Sequence, residues 1–144
     1  MTNSDEGRVF PARMNMLAET ASFVEDFCAR HGIAHDDVLK LILVVEELFT
    51  NTVLHGYGGD CDATVRVVLT KASDGIALLY EDAAKPYDPL ARLAARPQPA
   101  HDATAMSRAV GGLGVQLVAR LASRARYAYE DGHNRLWLRL PCAP

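Results

Sequence analysis

The sequence predicts an α+β fold: a two-layer sandwich in which a mixed, mostly antiparallel sheet carries helices on one face. Three observations predict it. Strand-like stretches come in adjacent pairs, 63–70 with 76–81 and 124–130 with 134–140, each split by a short turn. Two helix-like stretches stand in a row near the start instead of alternating with single strands. The chain has 144 residues, 49% hydrophobic and 23% charged, which suits a single domain with one core.

The elements follow in order. Residues 8–13, R-V-F-P-A-R, read as a short strand, and Pro11 favours a sheet edge because it has no amide proton to give. Between 14 and 31, Leu17, Ala21, Val24, Phe27 and Cys28 recur at helical spacing, and Gly32 closes the run. Asp36 is the expected N-cap of the next helix, with Leu39, Ile42, Val45 and Phe49 on its buried side. Gly56, Gly58 and Gly59 are expected to stop it. Ala63, Val65, Val67 and Leu69 then alternate with Thr64, Arg66, Val68 and Thr70, the period of a strand. Ser73-Asp74-Gly75 makes this strand and the next, 76–81, a hairpin. The pattern breaks down from 84 to about 108, where Pro86, Pro89, Pro97 and Pro99 fall; 90–95 has room for a helical turn. So long an irregular stretch in a small domain is functional or mobile. Residues 110–122 are a glycine-rich entry into a helix, and Asp131-Gly132-His133 joins the last two strands. No internal repeat is visible.

Composition excludes several classes. The net charge of −3, from 15 basic and 18 acidic residues, argues against direct nucleic-acid binding, which needs a basic field. No apolar run approaches 18 residues, so no membrane span is expected. The opening M-T-N-S-D-E-G-R is polar, unlike a signal peptide. Cys28, Cys61 and Cys142 are odd in number and widely spaced, as expected of reduced thiols in a cytoplasmic protein.

Three clusters carry chemistry. Glu47, Asn51 and His55 are spaced i, i+4, i+8, and each step of four turns an α-helix about 40° past a full circle, so they form one slanted stripe. A carboxylate and a carboxamide beside an apolar face need something polar to meet; a hydrated magnesium ion would serve, as would plain solvent. Asp82 ends a strand and begins the irregular segment, where an acid either accepts from a ligand amine or starts a turn. Gly111-Gly112-Leu113-Gly114 opens a helix with unencumbered amides, which suits phosphates or a hinge. It is neither a Walker P-loop nor a dinucleotide fingerprint. Cys28, His31 and His35 lack a fourth zinc ligand, and Ser107 and Ser123 lie in no nucleophile elbow.

Taken together, the order of the clusters resembles the ATP-binding superfamily of gyrase, histidine kinases and heat-shock chaperones. Its boxes would be E47-L-F-T-N51, D82-A-A84 and G112-L-G114. Within it the chain looks most like the bacterial anti-sigma factor serine kinases of the RsbW type. The motifs are E-E-L-F-T-N-T-V-L-H-G-Y, K-P-Y-D-P, G-G-L-G-V-Q-L-V and the ending Y-E-D-G-H-N-R-L-W-L, covering about residues 8–140. The resemblance implies a histidine-kinase-like ATPase (Bergerat) fold. It implies one ATP-binding kinase domain over 1–144, with a flexible lid at about 84–111.

By the resemblance, Glu47 is the general base, Asn51 the Mg²⁺ ligand and Asp82 the acceptor for the adenine amino group. Gly112, Leu113 and Gly114 belong to the lid over the phosphates. His55 is supporting, and Lys85 is a phosphate partner or merely solvated. ATP and Mg²⁺ are the implied cofactors. The implied activity phosphorylates an anti-sigma factor antagonist, a STAS-type protein, on serine, and sequesters a sigma factor; a homodimer is expected. Ala84 stands where the family has glycine. That departure keeps open a non-catalytic partner-binding module with a degenerate nucleotide site. A detached histidine-kinase ATPase domain is the other alternative, although no upstream helical pair with a phosphoacceptor histidine is visible.

Overall fold

The computed structural model describes residues 5–89, 118 and 120–143. Its elements run β1 (Glu6–Pro11), a 3₁₀ turn (Met14–Met16), α1 (Leu17–Arg30), α2 (His35–Asn51), a π-helical turn (Thr52–Gly56), β2 (Thr64–Ala72), β3 (Gly75–Asp82), β4 (Arg124–Glu130) and β5 (His133–Pro141). The sheet order is β1-β2-β3-β5-β4, and every neighbouring pair is antiparallel. The parallel component allowed for by a mixed sheet is absent among the described strands. The predicted helical turn at 90–95, most of the stretch 84–111, and Gly112, Leu113 and Gly114 lie outside the described residues.

Register places one apolar row under the helices. Val65, Val67 and Leu69 of β2 oppose Asp82, Tyr80 and Leu78 of β3, which oppose Asn134, Leu136 and Leu138 of β5. The period of two along each strand sends these residues to one face. There they meet Val24, Phe27 and Cys28 of α1 and Leu41, Val44, Val45, Leu48 and Phe49 of α2 in one core. Phe10 of β1 sits edge-on to Phe23 and Phe49, tying the sheet edge to both helices. The row turns polar at its Val65 end, where Asp82 and Asn134 face each other across β3 and β5.

Two details of α2 differ from the sequence expectation. Ala34, not Asp36, is the N-cap and has no side-chain capping bond; Asp36 and Asp37 lie in the first turn, where acids complement the helix dipole. Leu39, expected to be buried, is 47% exposed, as is Leu43, while Leu41 and Val44 take the inner positions. The helix is apolar around much of its circumference, so periodicity alone does not say which side meets the sheet.

Hairpin chemistry is explicit at both turns. Asp131 and Gly132 have φ of 53° and 77°, the pair of positive values that a two-residue type I′ turn requires. At Gly75 a Cβ would lie 2.0 Å from the Leu140 carbonyl oxygen, inside backbone of the neighbouring strand. Gly75→Ala is therefore expected to destabilise the fold by about 3 kcal/mol, since β3 and β5 must part to admit the methyl group. Urea denaturation checks this; an unchanged midpoint would mean that the strands yield without cost.

The outer face of the sheet carries an ion triad. Glu81 accepts from Arg66 at 2.7 Å and from Arg135. Burial raises the Glu81 carboxyl pKa, but the two guanidinium hydrogen bonds outweigh it and leave the value below the usual range. A folded-state pKa below the unfolded one gives stability that is present at neutral pH and lost as pH falls through the folded value. Glu81→Gln is thus expected to cost stability at pH 7 and progressively less below about pH 4. A constant gap between variant and wild type across that range would contradict the linkage. Among the described residues no helix is long and apolar enough to cross a membrane.

Candidate functional site

The polar end of the core row adjoins the C-terminal end of α2. Glu47 and Asn51 lie one turn apart on α2, both half-buried. Among the described residues every buried side-chain polar atom has a hydrogen-bond partner. Glu47 and Asn51 make no side-chain hydrogen bond or ion pair among the described residues, so their polar groups are open to a ligand or to water.

Directly after Asn51 the helix widens. The Tyr57 amide donates to the Thr52 carbonyl at 2.8 Å, a five-residue span. A π-turn winds less per residue than an α-helix, and such turns recur at functional sites. Glu47 and Asn51 lie on α2, and His55 lies within the π-turn and is exposed. Thr52, on the same turn, is buried and reaches β3.

Asp82 is the centre of the cluster and is 8% exposed. Its Oδ2 accepts from the Thr52 hydroxyl at 2.8 Å. Its Oδ1 accepts from the Ala84 amide at 3.1 Å and from Asn134 Nδ2 at 2.8 Å. Tyr80, beneath it on β3, donates to Thr52 Oγ1 at 2.8 Å. Burial pushes the Tyr80 phenol far above its ordinary pKa, so it stays protonated. The hydroxyl chain Tyr80 to Thr52 to Asp82 therefore runs one way, with donors pointing at the carboxylate.

Tyr57 and Asn134 hold the segment after β3. The Tyr57 hydroxyl accepts from the Ala83 amide at 2.8 Å and donates to the Thr64 carbonyl at 3.4 Å. Ala84 has no positive φ, since Asp131 is the one non-glycine with that conformation among the described residues. Its methyl group fits against Gly56, where a Cβ would come within 3.0 Å of it. Gly56 thus leaves the room that the Ala84 methyl group occupies. Lys85 is exposed, and its carbonyl is held by Asn134.

The structure accordingly brings together Asp82, Ala84, Lys85 and the turn just after Asn51, with Glu47 one helical turn before it. Thr52, Tyr80, Tyr57 and Asn134 are contributors that sequence reasoning missed. Thr52 and Tyr57 lie inside the stretch E-E-L-F-T-N-T-V-L-H-G-Y, and Asn134 lies inside Y-E-D-G-H-N-R-L-W-L, so the motifs contain them without marking their roles. Among the described residues no three His, Cys, Asp or Glu side chains form a metal-ligand group. Cys28 is buried, and burial pushes its thiol up to about 11, which suits a core thiol more than a ligand.

Carboxylate oxygens offer about four lone-pair sites in all. Among the described residues three are filled, by Thr52, Ala84 and Asn134, which leaves one on Oδ2. A buried acceptor with a single vacancy and no free donor matches an exocyclic amino group and discriminates against a carbonyl oxygen.

The family model described as the histidine kinase-like ATPase domain matches residues 10–140. Among solved structures, the chain is similar to the crystal structure of the RsbU and RsbW domains of Rv1364c from Mycobacterium tuberculosis. The identity is 18% and the TM-score 0.61, over 96% of this chain and 32% of that one. The chain thus spans about a third of that protein's length, and at this identity the likeness is one of fold. No curated protein matches the chain.

Proposed function

Because the chain belongs to the histidine kinase-like ATPase domain family, we propose that it is an ATP-dependent serine-protein kinase and anti-sigma factor. In this reading one kinase domain spans residues 1–144, acts in the cytoplasm as a homodimer and holds a sigma factor inactive. It phosphorylates a STAS-type antagonist on serine. The observation that carries the reading is the Thr52–Asp82–Asn134 cluster, with its one vacant acceptor, at the end of the helix that presents Glu47 and Asn51.

Each residue then has a task. Asp82 accepts from the adenine amino group and Ala84 borders the base. The Asn51 oxygen holds the metal ion, a hard ligand that leaves most of the magnesium shell to water and phosphate. Glu47 takes the proton of the substrate hydroxyl. Gly112, Leu113 and Gly114 supply amides to the phosphates. His55 and Lys85 support the rim. Magnesium-bound ATP supplies the phosphoryl group to be transferred. Adding that charge to the antagonist weakens its docking and reverses the partner exchange.

The test is incubation with γ-labelled ATP, Mg²⁺ and candidate antagonist proteins. Acid-stable phosphoserine on an antagonist is expected. An acid-labile product points instead to histidine chemistry. Failure to bind ATP in the presence of magnesium leaves a non-catalytic binding module.

A further inference from the structure

We propose that Asn134 is a positioning residue that sets both the orientation of Asp82 and the path of the chain from Ala84 to Tyr87. The proposal rests on the nucleotide reading of the Asp82 site. Asn134 lies directly across the sheet from Asp82. Its Nδ2 is shared among Asp82 Oδ1 at 2.8 Å, the Ala84 carbonyl at 3.1 Å and the Lys85 carbonyl at 3.0 Å. Its Oδ1 accepts from the Tyr87 amide at 3.0 Å and from the Tyr127 hydroxyl. The carbonyls on one side and the amide on the other fix which atom is nitrogen and which is oxygen.

One carboxamide therefore serves two functions through two atoms. The oxygen pins the Tyr87 backbone, where the chain leaves β3 for the irregular segment. The nitrogen occupies Oδ1 of Asp82, so that the remaining vacancy falls on Oδ2, beside Thr52. A shorter side chain would not span from β5 to both. A carboxylate would keep the acceptor for Tyr87 but lose the donor and set a second negative charge against Asp82.

The two atoms can be tested separately with Asn134→Ala and Asn134→Asp. Amide hydrogen exchange is read in the nucleotide-free protein, and ATP affinity by calorimetry. In Asn134→Ala, exchange at Tyr87 should rise at least about fivefold, with strand amides such as Leu79 and Leu138 unchanged, and ATP affinity should fall about tenfold. In Asn134→Asp, Tyr87 should stay protected while ATP affinity falls at least as far. Unchanged exchange at Tyr87 in the alanine variant overturns the proposal. So does a uniform rise across the strand amides, or wild-type ATP affinity in the aspartate variant. Should the alanine variant not fold, Asn134→Thr, which suits a strand and lacks the carboxamide that bonds Tyr87 and Asp82, takes its place with the same expectations for Tyr87. If the wild type binds no adenine nucleotide, the kinase reading falls, while exchange at Tyr87 still decides whether Asn134 holds the segment.

Discussion

Glu47→Ala should bind ATP within about twofold of wild type and lose phosphotransfer by about 10²–10⁴-fold, the usual worth of a positioned general base. The two effects separate because of where Glu47 stands. It is half-buried on α2 and makes no side-chain bond among the described residues, so removing the carboxylate leaves no orphaned partner. Alanine also suits a helix interior, and the fold should lose little. Glu46 is an equally half-buried neighbour, about 100° around the helix, and Glu46→Ala is the matched control. Single-turnover transfer to the antagonist, alongside calorimetric ATP affinity, reads both quantities. Full-rate transfer by the Glu47 variant would remove it from the chemistry. An equal loss in the Glu46 variant would mean that the helix face matters and not one carboxylate.

Asp82→Asn is the second large effect, and it strikes binding and stability together. Three donors converge on the two oxygens of Asp82. An asparagine keeps one oxygen and puts an amide where the other stood. With that amide toward Oδ1 it meets the Ala84 N–H and Asn134 Nδ2, donor against donor. With it toward Oδ2 it meets the Thr52 hydroxyl, which must turn away while still accepting from Tyr80. Either way a buried polar group loses its partner, which costs about 1–3 kcal/mol. Two donors oppose the amide at Oδ1 and one opposes it at Oδ2, so the orientation that puts the amide at Oδ2 is favoured. The vacancy there then becomes a donor, and ATP affinity should fall by at least about tenfold with loss of the preference for ATP over GTP. Thermal melting and nucleotide titration measure the two parts. Wild-type ATP affinity in this variant would place the base-recognition site elsewhere.

Much of the scaffold was legible in the residues. The second hairpin is the clearest case: strand 124–130 falls where alternation puts it, and Asp-Gly at 131–132 supplies the positive φ pair. The inner row of β2 was nearly as plain, since Val65, Val67 and Leu69 alternate with Thr64, Arg66, Val68 and Thr70, polar at all but one position. The orientation of α2 was not. With leucines at 39, 41, 43 and 48, several faces score alike, and only docking against Phe27, Val65 and Leu78 chose the inner one. The π-turn shows a further limit: the residues after Asn51 read as a continuing α-helix, and the widened turn at Thr52–Gly56 is seen only in the structure.

The sequence by itself determined the two N-terminal helices, the two hairpins and the identity of Glu47, Asn51 and Asp82 as groups out of place in apolar surroundings. These are properties of short windows, fixed by side-chain period and turn stereochemistry. The tertiary structure alone decided what Asp82 meets. Thr52 lies 30 residues away along the chain and Asn134 lies 52 away. Contacts at that separation follow from strand register and helix docking, which no local pattern encodes. The lone remaining acceptor on Asp82 is a consequence of those contacts.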